Sequence, residues 1–134
     1  MNWNYIKRNY FSFDGRLNRW PFFWKLWLYN IAASIAAWLL IKITGTKAAA
    51  YPISLLNSWV WLSFLTRRLH DLNRSGWFVL TPIALALLAI SALIGGSVML
   101  FMVAYLAFFG FYLYVLFCRG TVGPNDYGPD PLEK

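Results

Sequence analysis

Residues 77–118 read WFVLTPIALALLAISALIGGSVMLFMVAYLAFFGFYLYVLFC, without a single Asp, Glu, Lys or Arg. The Gly95-Gly96-Ser97 break divides the stretch into 77–94 and 98–118. Each run is near the roughly 20 residues that a helix rising about 1.5 Å per residue needs to cross about 30 Å of hydrocarbon. Neither alternates with period 2, as a bilayer strand would. The pair is therefore a hairpin of membrane-spanning helices. Working outward, 21–41 is a further apolar run, and 51–66 becomes long enough when it begins at the Ala48-Ala49-Ala50 run. Pro21 and Pro52 fall in first turns, where no intrahelical N–H is lost, while Pro82 should bend the third span near Leu80.

Composition points the same way. Of 134 residues, 60% are hydrophobic, 20% aromatic and only 13% charged, and a chain of this length in water would leave much of that apolar surface outside. Hydrophobicity excludes disorder, the single Cys118 excludes a disulfide scaffold, and length excludes a multidomain enzyme. The expectation is one all-α integral membrane domain over 1–134. It has four transmembrane helices at about 21–41, 48–66, 77–94 and 98–118 and a cytoplasmic tail at 119–134. An interfacial amphipathic helix at about 3–13 precedes them, with Trp3, Ile6, Tyr10 and Phe13 on one side and Lys7 and Arg8 toward headgroups.

Ten of the twelve Lys and Arg residues fall before or at the start of the first span, where Lys25 stands, between the second and third, or after the fourth, leaving Lys42 and Lys47 opposite. Positive charge is retained on the cytoplasmic side, so both termini are expected there. The net charge of +7 is then a signature of topology, and nucleic acid is not an expected partner. A signal peptide does not fit the first run, which exceeds the usual apolar region of about 7–15 residues.

Three polar clusters emerge at this same face. In 13–24, FDGRLNRWPFFW, Gly15 permits a turn, Arg16 and Arg19 sit one helical turn apart, and Trp20 with Trp24 suits headgroup depth. In 67–77, RRLHDLNRSGW, Asp71 lies four and three residues after Arg67 and Arg68, so its carboxylate can hold a guanidinium if the helix runs on. Ser75 suits an N-cap before Trp77. In 120–131, GTVGPNDYGPDP, Gly and Pro deny a helix, and Asn125, Asp126 and Asp130 are turn formers beside a cationic surface.

The trio GRLNRWPFFW, RRLHDLNRSGW and GTVGPNDYGPDP, in this order between hydrophobic runs, resembles the YhaH-like family of small bacterial inner-membrane proteins, domain of unknown function 805. The resemblance spans nearly the whole chain. It implies a protein of the bacterial cytoplasmic membrane with several helices, and it carries no established activity. Its motif positions here include Gly15, Arg16, Arg19, Arg67, Arg68, His70, Asp71, Arg74, Asn125, Tyr127 and Asp130.

Weighed residue by residue, a metal site is not expected, because His70 is the sole histidine and Cys118 belongs to another helix end. No catalytic residue and no cofactor is assigned. His70 reads best as an interfacial residue bonding a tail carbonyl or Asp130, within a structural network of Gly15, His70, Asp71, Asn125, Tyr127 and Asp130. Arg16, Arg19, Arg67, Arg68 and Arg74 outnumber the acids near them, and a guanidinium matches phosphate, so they are the candidate anionic-lipid contacts. The spans carry no acid, which weighs against a proton-coupled transporter. Small-residue pairs such as Ala32 with Ala36 and Ser91 with Gly95 suit close packing within the chain or between copies. The favoured reading is a non-enzymatic structural or regulatory membrane protein engaging anionic lipid, a further copy or a membrane partner. Two alternatives stay open: an enzyme acting on a lipid phosphate through His70 and Asp71, and an oligomeric channel or exporter.

Overall fold

The computed structural model describes residues 2–133; Met1, Lys134 and the side chains of Asn4, Tyr5 and Arg8 lie outside the described residues. Among the described residues the chain is all-helical, with no strand and one isolated bridge between Asn125 and Gly128. Helix α1, Trp3–Ile6, continues as a π-helical turn over Lys7–Phe11. The long helices are α2 (Arg19–Thr44), α3 (Tyr51–Asp71), α4 (Leu80–Ile94) and α5 (Val98–Phe117). Short 3-10 turns at Lys47–Ala50 and Gly76–Val79 lead into α3 and α4.

Local sequence explains where these helices start and stop. The Asn18 side chain accepts the Arg19 N–H at 2.6 Å, satisfying one orphan donor at the head of α2. At the far end the Gly45 N–H closes on the Ile41 carbonyl at 2.9 Å. Ser75 does cap the turn before α4, accepting the Trp77 N–H at 3.4 Å. Near Leu80 the winding changes from 3-10 over Gly76–Val79 to α from Leu80. Pro82 therefore lies in the first turn of α4, where its missing N–H forfeits little.

Three helical stretches among the described residues are long and apolar enough to cross a membrane: Arg19–Thr44, Gly76–Ile94 and Val98–Phe117, with mean hydropathies of 1.6, 2.4 and 2.2. Helix α3 is not among them. Ser54, Asn57, Ser58 and Ser63 interrupt its apolar surface, and it runs past the expected end at residue 66 to take in Arg67, Arg68, His70 and Asp71.

The packing explains this difference. Helices α2 and α3 form one antiparallel hairpin, α4 and α5 another, and α2 also packs on α5. The main buried cluster lies at one end of the bundle, formed by Leu17, Phe22, Leu26, Val60, Phe64, Leu65, Leu69 and Val115, with the small Ala92 of α4 and Ala104 of α5 buried apart from it. Away from it the spans carry their bulk outward, as at Leu28, Ile43, Leu87, Leu93 and Met99. A surface of this kind is tolerated where lipid, not water, is the solvent.

The segment after α1 straps the motif end. Tyr10 packs against Tyr29 and Phe64, with ring centroids at 6.3 and 5.7 Å. Phe13 meets Trp59 edge-on at 5.3 Å, and the buried Ser63 hydroxyl donates to the Ser12 carbonyl at 2.6 Å. Lys25 donates to Asn9 Oδ1 at 3.2 Å. So Tyr10 and Phe13, two of the four residues on the expected interfacial face, are spent on α2 and α3, while Trp3 stays exposed.

Candidate functional site

The three polar clusters converge on Asp71. Because α3 continues through it, Arg68 lies one turn back on the same face, and its Nη1 donates to Asp71 Oδ2. The loop after α1 brings Arg16 to the other oxygen: Nε donates to Oδ1 at 3.2 Å, and Nη2 stands 3.2 Å from it. All three side chains are buried, Arg68 and Asp71 to 0% and 2% exposure. A carboxylate between two guanidiniums is the arrangement that makes burial of charge tolerable.

The remaining donors of both arginines go to backbone carbonyls. Arg68 donates through Nε to the Val115 carbonyl at 2.8 Å and through Nη2 to the Cys118 carbonyl at 2.5 Å. These are carbonyls at the end of α5, which an α-helix leaves without intrahelical partners, so Arg68 caps α5 from inside the protein. Arg16 donates through Nη1 to the Gly123 carbonyl at 2.6 Å and through Nη2 to the Thr121 carbonyl at 2.5 Å. The Thr121 N–H returns to the Asp71 carbonyl at 2.8 Å.

The tail folds against this hub as ordered turns. Asn125 and Gly128 exchange backbone bonds at 3.1 Å, while Asn125 Oδ1 accepts the Tyr127 N–H and Nδ2 donates to the His70 carbonyl, both at 2.9 Å. Tyr127 stacks on the His70 ring at 3.9 Å and 4°. Asp130 accepts the N–H groups of Leu132 and Gly123, each at 2.9 Å. Those two bonds hold the Asp130 carboxyl below its ordinary pKa.

The structure thus brings together Gly15, Arg16, Arg68, His70, Asp71, Asn125, Tyr127 and Asp130. One contact differs from expectation. The His70 ring meets the Gly15 carbonyl at 3.3 Å through Nδ1, not Asp130, whose oxygens turn back into its own tail. Gly15 makes this possible with a φ of +82°, the left-handed turn that glycine enters freely.

The other three arginines are elsewhere. Arg67 turns away from Asp71, donating to the Asn9 carbonyl at 3.0 Å while its own carbonyl accepts the Leu17 N–H. Arg74 is exposed on the loop after α3, over the Phe78 ring at 5.8 Å. Arg19 is exposed at the start of α2. Three participants carried no recognisable signal: the carbonyls of Val115 and Cys118, and Gly120, whose role is close approach to Asp71. Chemically this is a clasp. Both Asp71 oxygens and Nδ1 of His70 are engaged, and one face of the imidazole is covered.

The chain belongs to the family described as "Protein of unknown function (DUF805)", which matches residues 10–129. It is similar to the protein titled inner membrane protein YhaH of Escherichia coli strain K12. The two are 32% identical over 143 aligned positions, covering 98% of this chain and 97% of the relative. The same figures hold for inner membrane protein YhaH of Escherichia coli O157:H7. No solved structure matches the chain.

Proposed function

We propose that this is a non-enzymatic protein of the bacterial inner membrane, built as four spans with both termini in the cytoplasm, whose cationic inner face engages anionic phospholipid. The placement draws on the relative's description as an inner membrane protein and on three helices apolar enough to cross. Helix α3 is the fourth span, tolerated in lipid because Ser63, Thr66, Arg68 and Asp71 are buried among the other elements and the exposed Ser54 and Ser58 hydroxyls donate back to the Ala50 and Ser54 carbonyls. The observation that carries the reading is a division among the arginines. Arg16 and Arg68 are consumed by Asp71 and by backbone carbonyls, whereas Arg19, Arg74 and Arg119 are exposed at the same end. Exposed guanidiniums beside a bilayer attract anionic headgroups by about 1 kcal/mol each.

A nucleophilic or acid–base reading has less support, since the hub's carboxylate is held by two guanidiniums. The reading is tested by reconstituting the full chain into bilayer discs of phosphatidylcholine with and without phosphatidylglycerol. Phosphatidylglycerol should be enriched around the chain, and the enrichment should fall with salt. Equal affinity for both lipids would end it. Reporters fused at each terminus should read cytoplasmic and those at Lys47 and Gly96 external.

A further inference from the structure

Two cavities meet at the motif end of α2. One, of about 470 Å³, is walled by Arg19, Trp20 and Arg119, with the carboxylates of Asp71, Asp130 and Glu133 also on its lining. The other, of about 370 Å³, is an apolar groove between α2 and α5, lined by Trp20, Phe23, Leu116 and Phe117 with Arg19 at its edge. Arg19 and Trp20 border both.

The charges in the polar cavity do not cancel. Asp71 is shared by Arg16 and Arg68, which leaves that cluster one positive charge in excess, while Asp130, bonded to two neutral backbone N–H groups, keeps its negative charge. Arg19 and Arg119 therefore face Asp130 and the exposed Glu133 with one positive charge left over from the hub, and neither of their guanidiniums has a hydrogen-bonded or ion-paired protein partner among the described residues. A surplus of cationic donors therefore opens directly onto an apolar groove, with a tryptophan at the boundary, the side chain that favours headgroup depth. A free phosphate would leave the groove empty, and a neutral hydrocarbon would leave the arginines without a counter-charge.

We infer that this double cavity holds one anionic glycerophospholipid. Its phosphate lies between Arg19 and Arg119, and an acyl chain lies along Trp20, Phe23, Leu116 and Phe117. The inference rests on the anionic-lipid reading above and deepens it from a diffuse cationic face to a built site for a single lipid.

Native mass spectrometry of the detergent-solubilised full chain, titrated with phosphatidylglycerol or phosphatidylcholine, tests it. The unaltered chain should retain one phosphatidylglycerol in preference to phosphatidylcholine. Arg19→Gln with Arg119→Gln should lower that occupancy at least about tenfold, as loss of two headgroup contacts implies. Because neither side chain holds the fold together, the thermal midpoint without lipid should not move. Leu116→Trp fills the groove without altering charge and should also displace the lipid. Arg19→Lys with Arg119→Lys should restore part of the occupancy. Unchanged occupancy in the double glutamine variant, or in Leu116→Trp, would overturn the site. If the preference survived both and fell with Arg74→Gln, the cationic face would stand without this site. If the unaltered chain showed no preference at all, the broader reading would fall with it.

Discussion

Gly120 lies so close to Asp71 that a Cβ built on it would stand 2.1 Å from Oδ2 and 2.6 Å from the carboxyl carbon. The tail can turn under the end of α3 only because this position has no side chain. The carboxylate cannot step aside, since Arg68 holds the same oxygen and Arg16 the other. Gly120→Ala should therefore separate the tail from the hub and lower stability by at least the roughly 1–3 kcal/mol typical of overpacking. A thermal midpoint within a degree of the parent chain would contradict this.

Asp71 neutralises two buried guanidiniums, so its loss should cost more than that of either arginine's contact. Asp71→Asn should destabilise by about 3–5 kcal/mol, the range for breaking a buried pair from one side. Combining it with Arg16→Gln should recover part of the loss, because the second change removes one of the stranded charges. Arg68→Lys should not substitute: an ammonium cannot span Asp71 and the carbonyls of Val115 and Cys118 as a planar fork does. Thermal unfolding of the four purified proteins in one detergent measures the cycle, and strictly additive losses would refute the shared hub.

The apolar runs are legible in the sequence because lipid demands length, and they are interrupted by the Gly95-Gly96-Ser97 turn, the Arg-rich stretch 67–76 and the loop from Lys42 to Lys47. The end of α3 is harder to read. Its two arginines look like the start of a polar loop, yet Arg68 is wholly buried because its acceptors, 47 and 50 residues further on, are in place only once α5 has docked. Helical spacing puts Asp71 within reach of both Arg67 and Arg68, at i+4 and i+3, and leaves open which it holds; the carbonyls of Val115 and Cys118, which take Arg68, and of Asn9, which takes Arg67, make the choice. Which side chain Asp130 or His70 would meet does not follow. Those choices are set by turn geometry in a tail with no repeating pattern to extrapolate.

The stack of His70 on Tyr127 separates a structural role from a chemical one. His70→Phe keeps a flat ring against Tyr127 and loses the contact from Nδ1 to the Gly15 carbonyl, so it should cost about 1 kcal/mol. His70→Ala removes the stack as well and should cost about 0.5–1.5 kcal/mol more. If the phenylalanine variant were as unstable as the alanine variant, the stack would contribute nothing.

The last expectation concerns acid and the tail. Asp130 binds the Gly123 and Leu132 N–H groups in its charged form, which places its folded pKa below that of the unfolded chain. For a carboxylate depressed in this way, the stabilisation is complete above the unfolded pKa and is lost as pH falls through the folded one. The Gly123 and Leu132 amides should therefore be protected from hydrogen exchange at neutral pH. Their protection, corrected for the intrinsic pH dependence of exchange, should fade as the solution is acidified below the ordinary carboxylate range. Asp130→Ala should abolish it already at neutral pH while leaving the Thr121 amide, which donates to the Asp71 carbonyl, protected. Loss of protection at Thr121 together with Gly123 in that variant would mean that the tail unfolds as one unit and that Asp130, rather than the hub, holds it in place.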